Sequence, residues 1–345
     1  MEKGNPVIRE RKHYAINGGR VLVFGDTHFS VKYNGKHKDY AYDCFVTMEL
    51  ILDTVIKEKP SAVFFLGDLI GVNERNIYDH EFLMRVVMFF GKLYKLTKGN
   101  VYYVKGNHDY GDFADVDFLT GLGYIKNPEY VDYVIDGQVE IRFHFVNYGD
   151  ERKALKINED NASNVVLGHA DYYIEGVTTW YSSKKGSVEL KTLSNFNGVE
   201  LVFAGHIHTP SKEVMYTTTP NGNPIGLFYT GSPSRTAERF DDCWYVYFEY
   251  SEESGSTNYS AELLGLPPAS EVFYSEDEFI DESESSEEEN LTGDKTEVLD
   301  AIVNEILTTR MASGDVFKQI DIIPAEKETK ELAKEYLRKA INGGK

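Results

Sequence analysis

Cysteine is scarce in this sequence, and long apolar runs are missing. The 345 residues include only Cys44 and Cys243, which excludes a disulfide framework and a cysteine-based zinc site and fits a reducing cytoplasm. No apolar run approaches the roughly 18 residues that span a bilayer, and the N-terminus lacks the apolar core of a signal peptide. We therefore expect a cytoplasmic protein without membrane contact, in which any metal is held by His, Asp and Asn side chains.

Basic residues are also few in comparison with acidic residues. The chain carries 36 Lys and Arg against 56 Asp and Glu, for a formal net charge of -20, which argues against general electrostatic adhesion to nucleic acid. Half of that excess lies between Ser270 and Asn290, where ten acidic residues occur without one Lys or Arg. This segment has too few apolar groups to offset the entropy of ordering, so its composition predicts a flexible linker.

The sequence does contain an alternation of apolar, β-rich runs with helical patterns, which is typical of an α/β fold. Fully buried strands are predicted at 21–24, 62–66, 101–104, 165–167 and 201–204. Amphipathic helices are predicted at 40–58 and 79–96. Further apolar runs at 131–146, 212–218, 225–230 and 244–250 predict hairpin strands, so a mostly β layer should follow the α/β half.

Each of the five buried strands ends in Gly followed by Asp, Asn or His. The motifs are GDTH at 25–28, GD at 67–68, GNHD at 106–109, GH at 168–169 and GHIH at 205–208. Functional groups collect at the carboxyl ends of strands in open α/β sheets, and a preceding Gly lets the chain turn sharply into the crevice. We therefore expect seven potential ligands to converge: Asp26, His28, Asp68, Asn107, His169, His206 and His208.

This donor set predicts a two-metal centre. Imidazole, carboxylate and amide oxygen without thiolate suit Mn²⁺, Fe²⁺ or Zn²⁺ better than Ca²⁺ or Mg²⁺, and seven ligands are too many for one such ion. A bridging carboxylate can hold two ions about 3.5–4 Å apart, which polarise a phosphoryl oxygen and activate a water for phosphoester hydrolysis. Each motif alone predicts little more than a turn, and His169 alone could be a core histidine, so the prediction depends on the ordered set.

The five motifs, in this order, resemble those of the calcineurin-like metallophosphoesterase superfamily. The resemblance spans residues 25–208 and implies a metallophosphoesterase α/β sandwich, with two mixed sheets flanked by helices. Within the superfamily, the YTGSP run at 229–233 and the WYVYF run at 244–248 resemble the SbcD-type DNA nuclease, the nuclease subunit of the MRN complex. This second resemblance extends to about residue 250 and is greatest to compact bacteriophage versions, which implies the cytoplasm of a bacterial host.

The resemblance implies two divalent ions, Mn²⁺ in that family, that share the seven ligands. One ion would be held by Asp26, His28, Asp68 and His208, and the other by Asp68, Asn107, His169 and His206, with Asp68 bridging. His108 would protonate the leaving oxygen, and Asp109 would orient its ring as a carboxylate partner. The implied activity is Mn²⁺-dependent hydrolysis of DNA phosphodiesters, as exonuclease or endonuclease, in end processing, repair and recombination.

Two departures from the nuclease pattern matter. Gly71 stands three residues after Asp68, where the family often has a second histidine, which leaves open how that position stabilises the transition state. A largely acidic stretch of about 40 residues separates Phe248 from the tail, so the DNA-capping domain of cellular relatives is absent or vestigial. We predict a phosphoesterase domain at 1–252, a vestigial cap and linker at 253–290, and a C-terminal helix-loop-helix at 291–345.

Two segments predict protein partners. Apolar stripes at 296–310 and 328–341 indicate a helix pair too small to bury both stripes alone. By the resemblance this pair would bind an SMC-like ABC ATPase of the SbcC type; the alternative is that it folds back on the phosphoesterase domain.

Segment 79–96 carries apolar residues on more than one stripe, which favours a homodimer. The alternative is that these residues are buried under residues 110–125.

DNA contact and other functions also stay open. Five basic residues follow the first motif or the YTGSP run and are candidate phosphate contacts, although a solvated loop explains the first three equally well: Lys32, Lys36, Lys38, Arg235 and Arg239. A cyclic-nucleotide phosphodiesterase or a phosphatase would share all five motifs, although residues 67–75 lack the GDxVDRG pattern of Ser/Thr phosphatases. The chain could also be a non-catalytic scaffold for a DNA-repair ATPase.

Overall fold

The computed structural model describes residues 14–31, 38–70, 80–110, 115–159, 162–178, 186–235, 244–251, 253–254 and 256–272. The predicted acidic linker from residue 273 onward and the predicted helix-loop-helix at 291–345 lie outside the described residues. Gly71, Lys32, Lys36 and Arg239 lie outside them as well.

The described residues form fourteen strands and four α-helices. The strands are β1 Ala15–Asn17, β2 Val21–Phe24, β3 Ala62–Phe65, β4 Val101–Tyr103, β5 Tyr130–Ile135, β6 Gln138–Val146, β7 Ser163–His169, β8 Tyr172–Tyr173, β9 Val188–Glu189, β10 Leu201–Gly205, β11 Met215–Thr218, β12 Pro224–Tyr229, β13 Trp244–Ser251 and β14 Ser256–Leu263. The helices are α1 Tyr40–Glu58, α2 His80–Leu96, α3 Asp115–Gly121 and α4 Ala269–Val272. All five predicted buried strands are present, and α1 has the predicted bounds.

Two mixed sheets form the body. The larger has the order β1-β5-β6-β7-β10-β12-β11, and the smaller has the order β14-β13-β2-β3-β4. Pairing is parallel along β6-β7-β10-β12 and along β2-β3-β4, and antiparallel where hairpins join β5 to β6 and β13 to β14. This confirms the predicted α/β sandwich of two mixed sheets.

Aromatic side chains fill the space between the sheets. The ring of Phe64 lies 5.2 Å from that of Phe143 across the gap, and the ring of Phe203 lies 5.0 Å from that of Phe248. Burial of each such side chain contributes roughly 1.5–3 kcal/mol. A second apolar cluster joins the smaller sheet to α1 and α2, and a third covers the outer face of the larger sheet. The site described below is therefore carried by rigid, packed strands.

Helix α1 shows how local sequence sets an element that supports the site. Asp39 caps its start by accepting a hydrogen bond from the Tyr42 backbone N–H at 2.9 Å. The helix ends at Glu58 and is capped by Lys59, which takes a left-handed conformation with φ 47°. Its buried face, which includes Met48 and Val55, packs on the smaller sheet. The apolar period of 3.6 residues thus predicted both the helix and its contact face.

The body continues beyond the predicted boundary at residue 252. Strand β14 pairs with β13 along its whole length, and the ring of Tyr259 lies 5.2 Å from that of Phe203. Val272 is buried as well. A boundary at 252 would cut this hairpin, so the paired body extends past the predicted boundary, at least to the end of β14. The strand is hard to predict because an edge strand with one exposed face carries few apolar residues.

Helix α2 uses most of its apolar surface within the chain. Phe82, Val86 and Phe90 are buried in the same cluster as Leu119 and Ile125. This arrangement matches the alternative of burial under residues 110–125 for the apolar side chains that lie in this cluster. Three apolar side chains of α2 are still exposed, Met84 at 40%, Met88 at 56% and Leu96 at 44%. The homodimer through α2 stays a prediction.

Candidate metal centre

The five motif strands are divided between the two sheets. Strands β2, β3 and β4 run parallel in the smaller sheet, and β7 and β10 run parallel in the larger one. The motif loops after the carboxyl ends of these strands meet across the gap between the sheets, where the His206 backbone N–H donates a hydrogen bond to the Asp26 carboxylate oxygen Oδ1 at 2.8 Å. The residues converge as predicted, but from two facing sheets, not from one open sheet edge.

Six of the seven predicted ligands form two neighbouring clusters. The first cluster consists of Asp26, His28 and His208, and the second consists of Asp68, His169 and His206. Within each cluster the potential ligand atoms lie within 4.8 Å of one another. That spacing suits simultaneous contact with one ion, because Zn–N and Zn–O distances, for example, are about 2.0–2.2 Å. Each cluster therefore has the dimensions of a metal site.

Asp68 and Asn107 connect the clusters. The Asp68 Oδ2 atom lies 3.3 Å from His169 Nε2 in its own cluster and 3.8 Å from His28 Nε2 in the other. The Asn107 Oδ1 atom lies 3.0 Å from His169 Nε2 and 2.9 Å from His206 Nδ1. Asp68 thus occupies the position expected of a shared ligand, and Asn107 belongs with the second cluster. The assignment of these two residues to bound ions stays a prediction of the resemblance.

The chemistry of these residues fits a pair of divalent ions. The Nε2 atoms of His28 and His208 lie 2.8 Å apart. Burial lowers the pKa of His28 well below its usual value and that of His208 to about 4, so both rings are neutral and can offer lone pairs. Burial raises the pKa of Asp26 to about 7, which indicates a carboxylate whose charge a bound cation would stabilise.

His169 is oriented by a contact outside the cluster. Its Nδ1 atom donates a hydrogen bond to the Leu66 carbonyl oxygen at 2.7 Å, which leaves Nε2 directed at Asp68 and Asn107. A second partner of this kind fixes the tautomer and ring orientation of a metal-binding histidine. Burial would lower the pKa of His169, but the carboxylates of Asp68 and Asp26 outweigh it and raise the pKa to about 9.

The backbone is strained at the same place. His28, Asp68 and His206 have positive φ angles of 46°, 46° and 78°, and such conformations cost non-Gly residues of order 1–3 kcal/mol each. The close approach of the loops explains the glycines that precede the ligands. A Cβ atom on Gly106 would lie 2.1 Å from Asp68 Oδ1, and one on Gly67 would lie 2.4 Å from His169 Nδ1. Strain that clusters in this way is characteristic of functional sites.

His108 lies at the surface beside the first cluster. The side chain is exposed, and the ring centroid lies 5.6 Å from that of His28. Its backbone N–H donates to Asp68 Oδ1 at 2.8 Å, which fixes the residue relative to the shared carboxylate. His108 is outside both clusters of potential ligand atoms. The structure thus places it beside the metal ligands with its ring accessible to a substrate.

Asp109 does not have the predicted role. Its carboxylate is buried and accepts hydrogen bonds from two backbone N–H groups, Leu69 at 3.0 Å and Gly106 at 2.8 Å. These bonds join the loop of the second motif to that of the third. Both carboxylate oxygens are therefore engaged by the backbone, and the expectation that Asp109 orients the His108 ring is wrong. Asp109 positions the two loops that carry Asp68 and Asn107.

The predicted DNA contacts do not form a surface patch in the described residues. Lys38 is exposed, and its backbone N–H donates to the Val272 carbonyl oxygen at 2.9 Å. Arg235 is only 1% exposed, and its Nη2 atom donates to the Pro267 carbonyl oxygen. A buried guanidinium cannot reach a DNA phosphate without rearrangement, so this placement argues against Arg235 as a contact. Lys32, Lys36 and Arg239 lie outside the described residues.

The YTGSP run supports the first metal loop. Ser232 Oγ lies 2.5 Å from the Asp26 carbonyl oxygen, and Ser234 Oγ lies 2.6 Å from the Thr27 carbonyl oxygen. Gly25 packs so closely on this run that a Cβ atom there would lie 1.7 Å from the Gly231 carbonyl oxygen. The run therefore holds the backbone on either side of the first ligand, a structural role that the motif alone did not indicate.

Sequence reasoning missed one residue at the site, Tyr148. Its ring centroid lies 6.2 Å from that of His206 and 6.3 Å from that of His169, and the side chain is 41% exposed. Tyr148 follows β6, whose Val146 pairs in parallel register with Gly168. The feature that could have identified Tyr148 is the parallel pairing of β6 with β7. Because the two strands are parallel, the carboxyl end of β6 lies at the same edge of the sheet as His169. That pairing is not visible in the sequence.

The fold and the paired clusters define a metal-dependent phosphoesterase with two metal sites. A sequence profile of the calcineurin-like phosphoesterase family matches residues 19–210, which is more than half of the chain. The chain therefore belongs to the calcineurin-like phosphoesterase family. Among the described residues, we find no helix long and apolar enough to cross a membrane.

Solved structures with a similar fold come from several organisms. TT1561 of Thermus thermophilus is 11% identical over 72% of this chain and 100% of its own, with a TM-score of 0.41. Yfce, a phosphoesterase from E. coli, is 13% identical over 71% of this chain and 100% of its own, with a TM-score of 0.33. A dimetal phosphatase from Danio rerio is 10% identical over 68% of this chain and 93% of its own, with a TM-score of 0.44. Structural similarities at this low sequence identity do not indicate the substrate. A search of curated proteins found no match.

Proposed function

We propose that this protein hydrolyses phosphodiesters, with nucleotide or other small phosphodiesters as substrates, when two divalent ions are bound. The proposal rests on one observation: two Asp/His clusters lie side by side, with Asp68 between them and an exposed His108 next to them. Bound ions would supply Lewis-acid polarisation of a phosphoryl oxygen and a water activated near neutral pH. The seven predicted ligands are the residues that would hold them.

The chain itself supplies a proton donor. A phosphodiester with an alkoxide leaving group needs a proton on the leaving oxygen, and a positioned histidine contributes typically 10²–10⁴-fold to such a step. His108 is exposed, beside His28, and fixed through its backbone N–H to Asp68. These three features suit a general acid that acts on a phosphate held at the two clusters.

A second candidate is the Mn²⁺-dependent DNA nuclease implied by the SbcD-type resemblance. It is supported by the YTGSP run, whose two serines hold the backbone on either side of Asp26. This candidate includes DNA as substrate, an SbcC-type ATPase bound through residues 291–345, and the homodimer through α2. Deleting residues 291–345 should then abolish ATPase association and leave metal-dependent hydrolysis intact. Unchanged association of the truncated chain would contradict the predicted tail function.

A substrate panel separates the two candidates. The full chain is stripped with a chelator, reloaded with Mn²⁺, and assayed on bis-p-nitrophenyl phosphate, p-nitrophenyl phosphate, a cyclic nucleotide, and linear and supercoiled DNA. We expect faster hydrolysis of the aryl diester than of the monoester, and loss of both activities on chelation. Hydrolysis of no ester with Mn²⁺, Zn²⁺ or Fe²⁺ would contradict the proposal.

The DNA arm of the panel tests the nuclease. Digestion of DNA in preference to the small diester would favour the nuclease, and binding should then weaken steeply with salt. A triple variant combines Lys32→Ala, Lys36→Ala and Lys38→Ala. If its DNA affinity and the salt dependence of that affinity are unchanged, this loop is not the DNA-binding surface.

A further inference from the structure

An exposed aromatic pair lies beside the second cluster. Tyr148 is 41% exposed and Tyr110 is 49% exposed, and the Tyr110 hydroxyl donates to the Tyr148 carbonyl oxygen at 3.1 Å. The Tyr148 ring has the rings of His206 and His169 as neighbours, with centroids 6.2 and 6.3 Å away. Two partly exposed aromatic rings at the edge of the candidate reaction centre offer flat apolar surface to a bound substrate.

The position of Tyr148 is tied to the metal loops. Its backbone N–H donates to the Lys105 carbonyl oxygen at 2.8 Å, and the Lys105 N–H donates to Asn147 Oδ1 at 2.8 Å. Asn147 in turn exchanges side-chain hydrogen bonds with Asn127. Lys105 directly precedes the loop that carries Asn107, so Tyr148 is held at a defined place relative to that ligand.

His108 and Tyr148 flank different clusters. The ring of His108 neighbours His28 of the first cluster, and the ring of Tyr148 neighbours two histidines of the second. If His108 protonates the leaving oxygen, a group at the other cluster faces the substituent that stays on phosphorus. An exposed ring there can stack on a flat aromatic group, which is worth about 1–3 kcal/mol per nucleobase.

We infer that Tyr148 is a substrate-positioning residue that stacks on a nucleobase or aryl group in the retained substituent of the phosphodiester. The inference rests on the proposed phosphodiesterase function and narrows its substrates to diesters that carry such a flat group. Tyr148 does not act on the reacting atoms, and its contribution comes from holding the substrate.

The test uses two esters with one leaving group, p-nitrophenolate. One keeps thymidine on phosphorus (thymidine 5′-p-nitrophenyl phosphate), and the other keeps methyl (methyl p-nitrophenyl phosphate). For Tyr148→Ala we expect kcat/KM to fall about tenfold on the thymidine ester, mostly through KM, and to change little on the methyl ester. Tyr148→Phe should retain the wild-type preference, because stacking needs only the ring. Tyr216→Ala, which removes a 66% exposed tyrosine on β11, is the matched control.

A binding measurement makes the result independent of turnover. Calorimetry with thymidine 5′-monophosphate and the Mn²⁺-loaded chain should show about tenfold weaker binding for Tyr148→Ala at unchanged metal content. Equal losses on both esters, or unchanged nucleotide binding, would overturn the inference. If the wild-type chain hydrolyses neither ester, the proposed function fails, and the nucleotide affinities of the wild type and the variant still decide the role of Tyr148.

Discussion

The larger sheet buries one histidine at its carboxyl edge and another in its interior, and the pKa values of the two are shifted in opposite directions. His169, at the end of β7, lies 3.3 Å from Asp68 and 3.4 Å from Asp26, and these carboxylates raise its pKa to about 9 against the effect of burial. His144, on the neighbouring strand β6, lies 3.1 Å from the Asn164 amide oxygen, and burial lowers its pKa to about 4. Both are buried, so the difference comes from the carboxylates.

A buried histidine therefore becomes a candidate metal ligand through the groups that surround it. The edge combines carboxylates, neutral imidazoles and strained backbone at His28 and Asp68. In the interior, His144 instead has an amide oxygen as its hydrogen-bond partner. Substitutions in the two regions should therefore have different consequences. At the carboxyl edge they should weaken metal binding and lower the hydrolysis rate, and in the interior they should lower the stability of the fold.

The largest effect is expected at the shared carboxylate. Asp68→Ala should remove both ions and lower the hydrolysis rate on the order of 10³-fold or more, since metal ions supply several kcal/mol of transition-state stabilisation. Metal content by mass spectrometry and the rate on an aryl diester measure this. Asp132→Ala is the matched control, because Asp132 is a buried carboxylate of the interior paired with Arg142. Two retained ions in Asp68→Ala would place the bridge elsewhere.

A smaller effect is expected at the proton donor. His108→Ala should keep both ions and lose about 10²–10⁴-fold in kcat. His144→Gln in the interior should leave kcat near the wild-type value. Loss of metal from His108→Ala would instead make this histidine a ligand and remove the role given to it.

The loop support should affect metal binding more than folding. Ser232→Ala removes the hydroxyl next to the Asp26 carbonyl oxygen, and loss of such an outer contact typically costs 10–100-fold in metal affinity. Titration of the chelated protein with Mn²⁺ measures the change, with the exposed Ser260→Ala as control. Unchanged affinity would mean that the first loop holds its shape without the YTGSP run.

The smallest effect is a pH dependence that arises in the interior. The pKa of His144 is about 4 in the fold and about 6.5 when unfolded. Between these values the unfolded chain binds more protons, so stability is complete above pH 6.5 and is lost as the pH falls toward 4. The loss amounts to about 2 kcal/mol between pH 7 and pH 5. Urea unfolding of the chelated protein should show this component in the wild type and not in His144→Gln; identical pH profiles would contradict it.

The ligands could be predicted because their signals are local. A buried strand, a glycine and a polar residue follow one another directly in the chain, and five such runs in a fixed order left little room for another interpretation. Helix α1 was predictable for the same reason, since its apolar period and its cap lie within the segment itself. Edge strand β14 was missed because a strand with few apolar residues carries no such local signal.

The seven potential metal ligands, and their positions after predicted strands, can be identified from the amino-acid sequence alone. The folded structure was needed to show that these residues approach from two sheets and that Asp109 accepts a hydrogen bond from the backbone of Leu69. It was also needed to show that Arg235 is buried and that Tyr148 lies beside the second cluster. The physical reason is sequence separation. Leu69 and Asp109 are 40 positions apart, and a contact at that distance depends on strand order and on packing between sheets, which no short segment encodes.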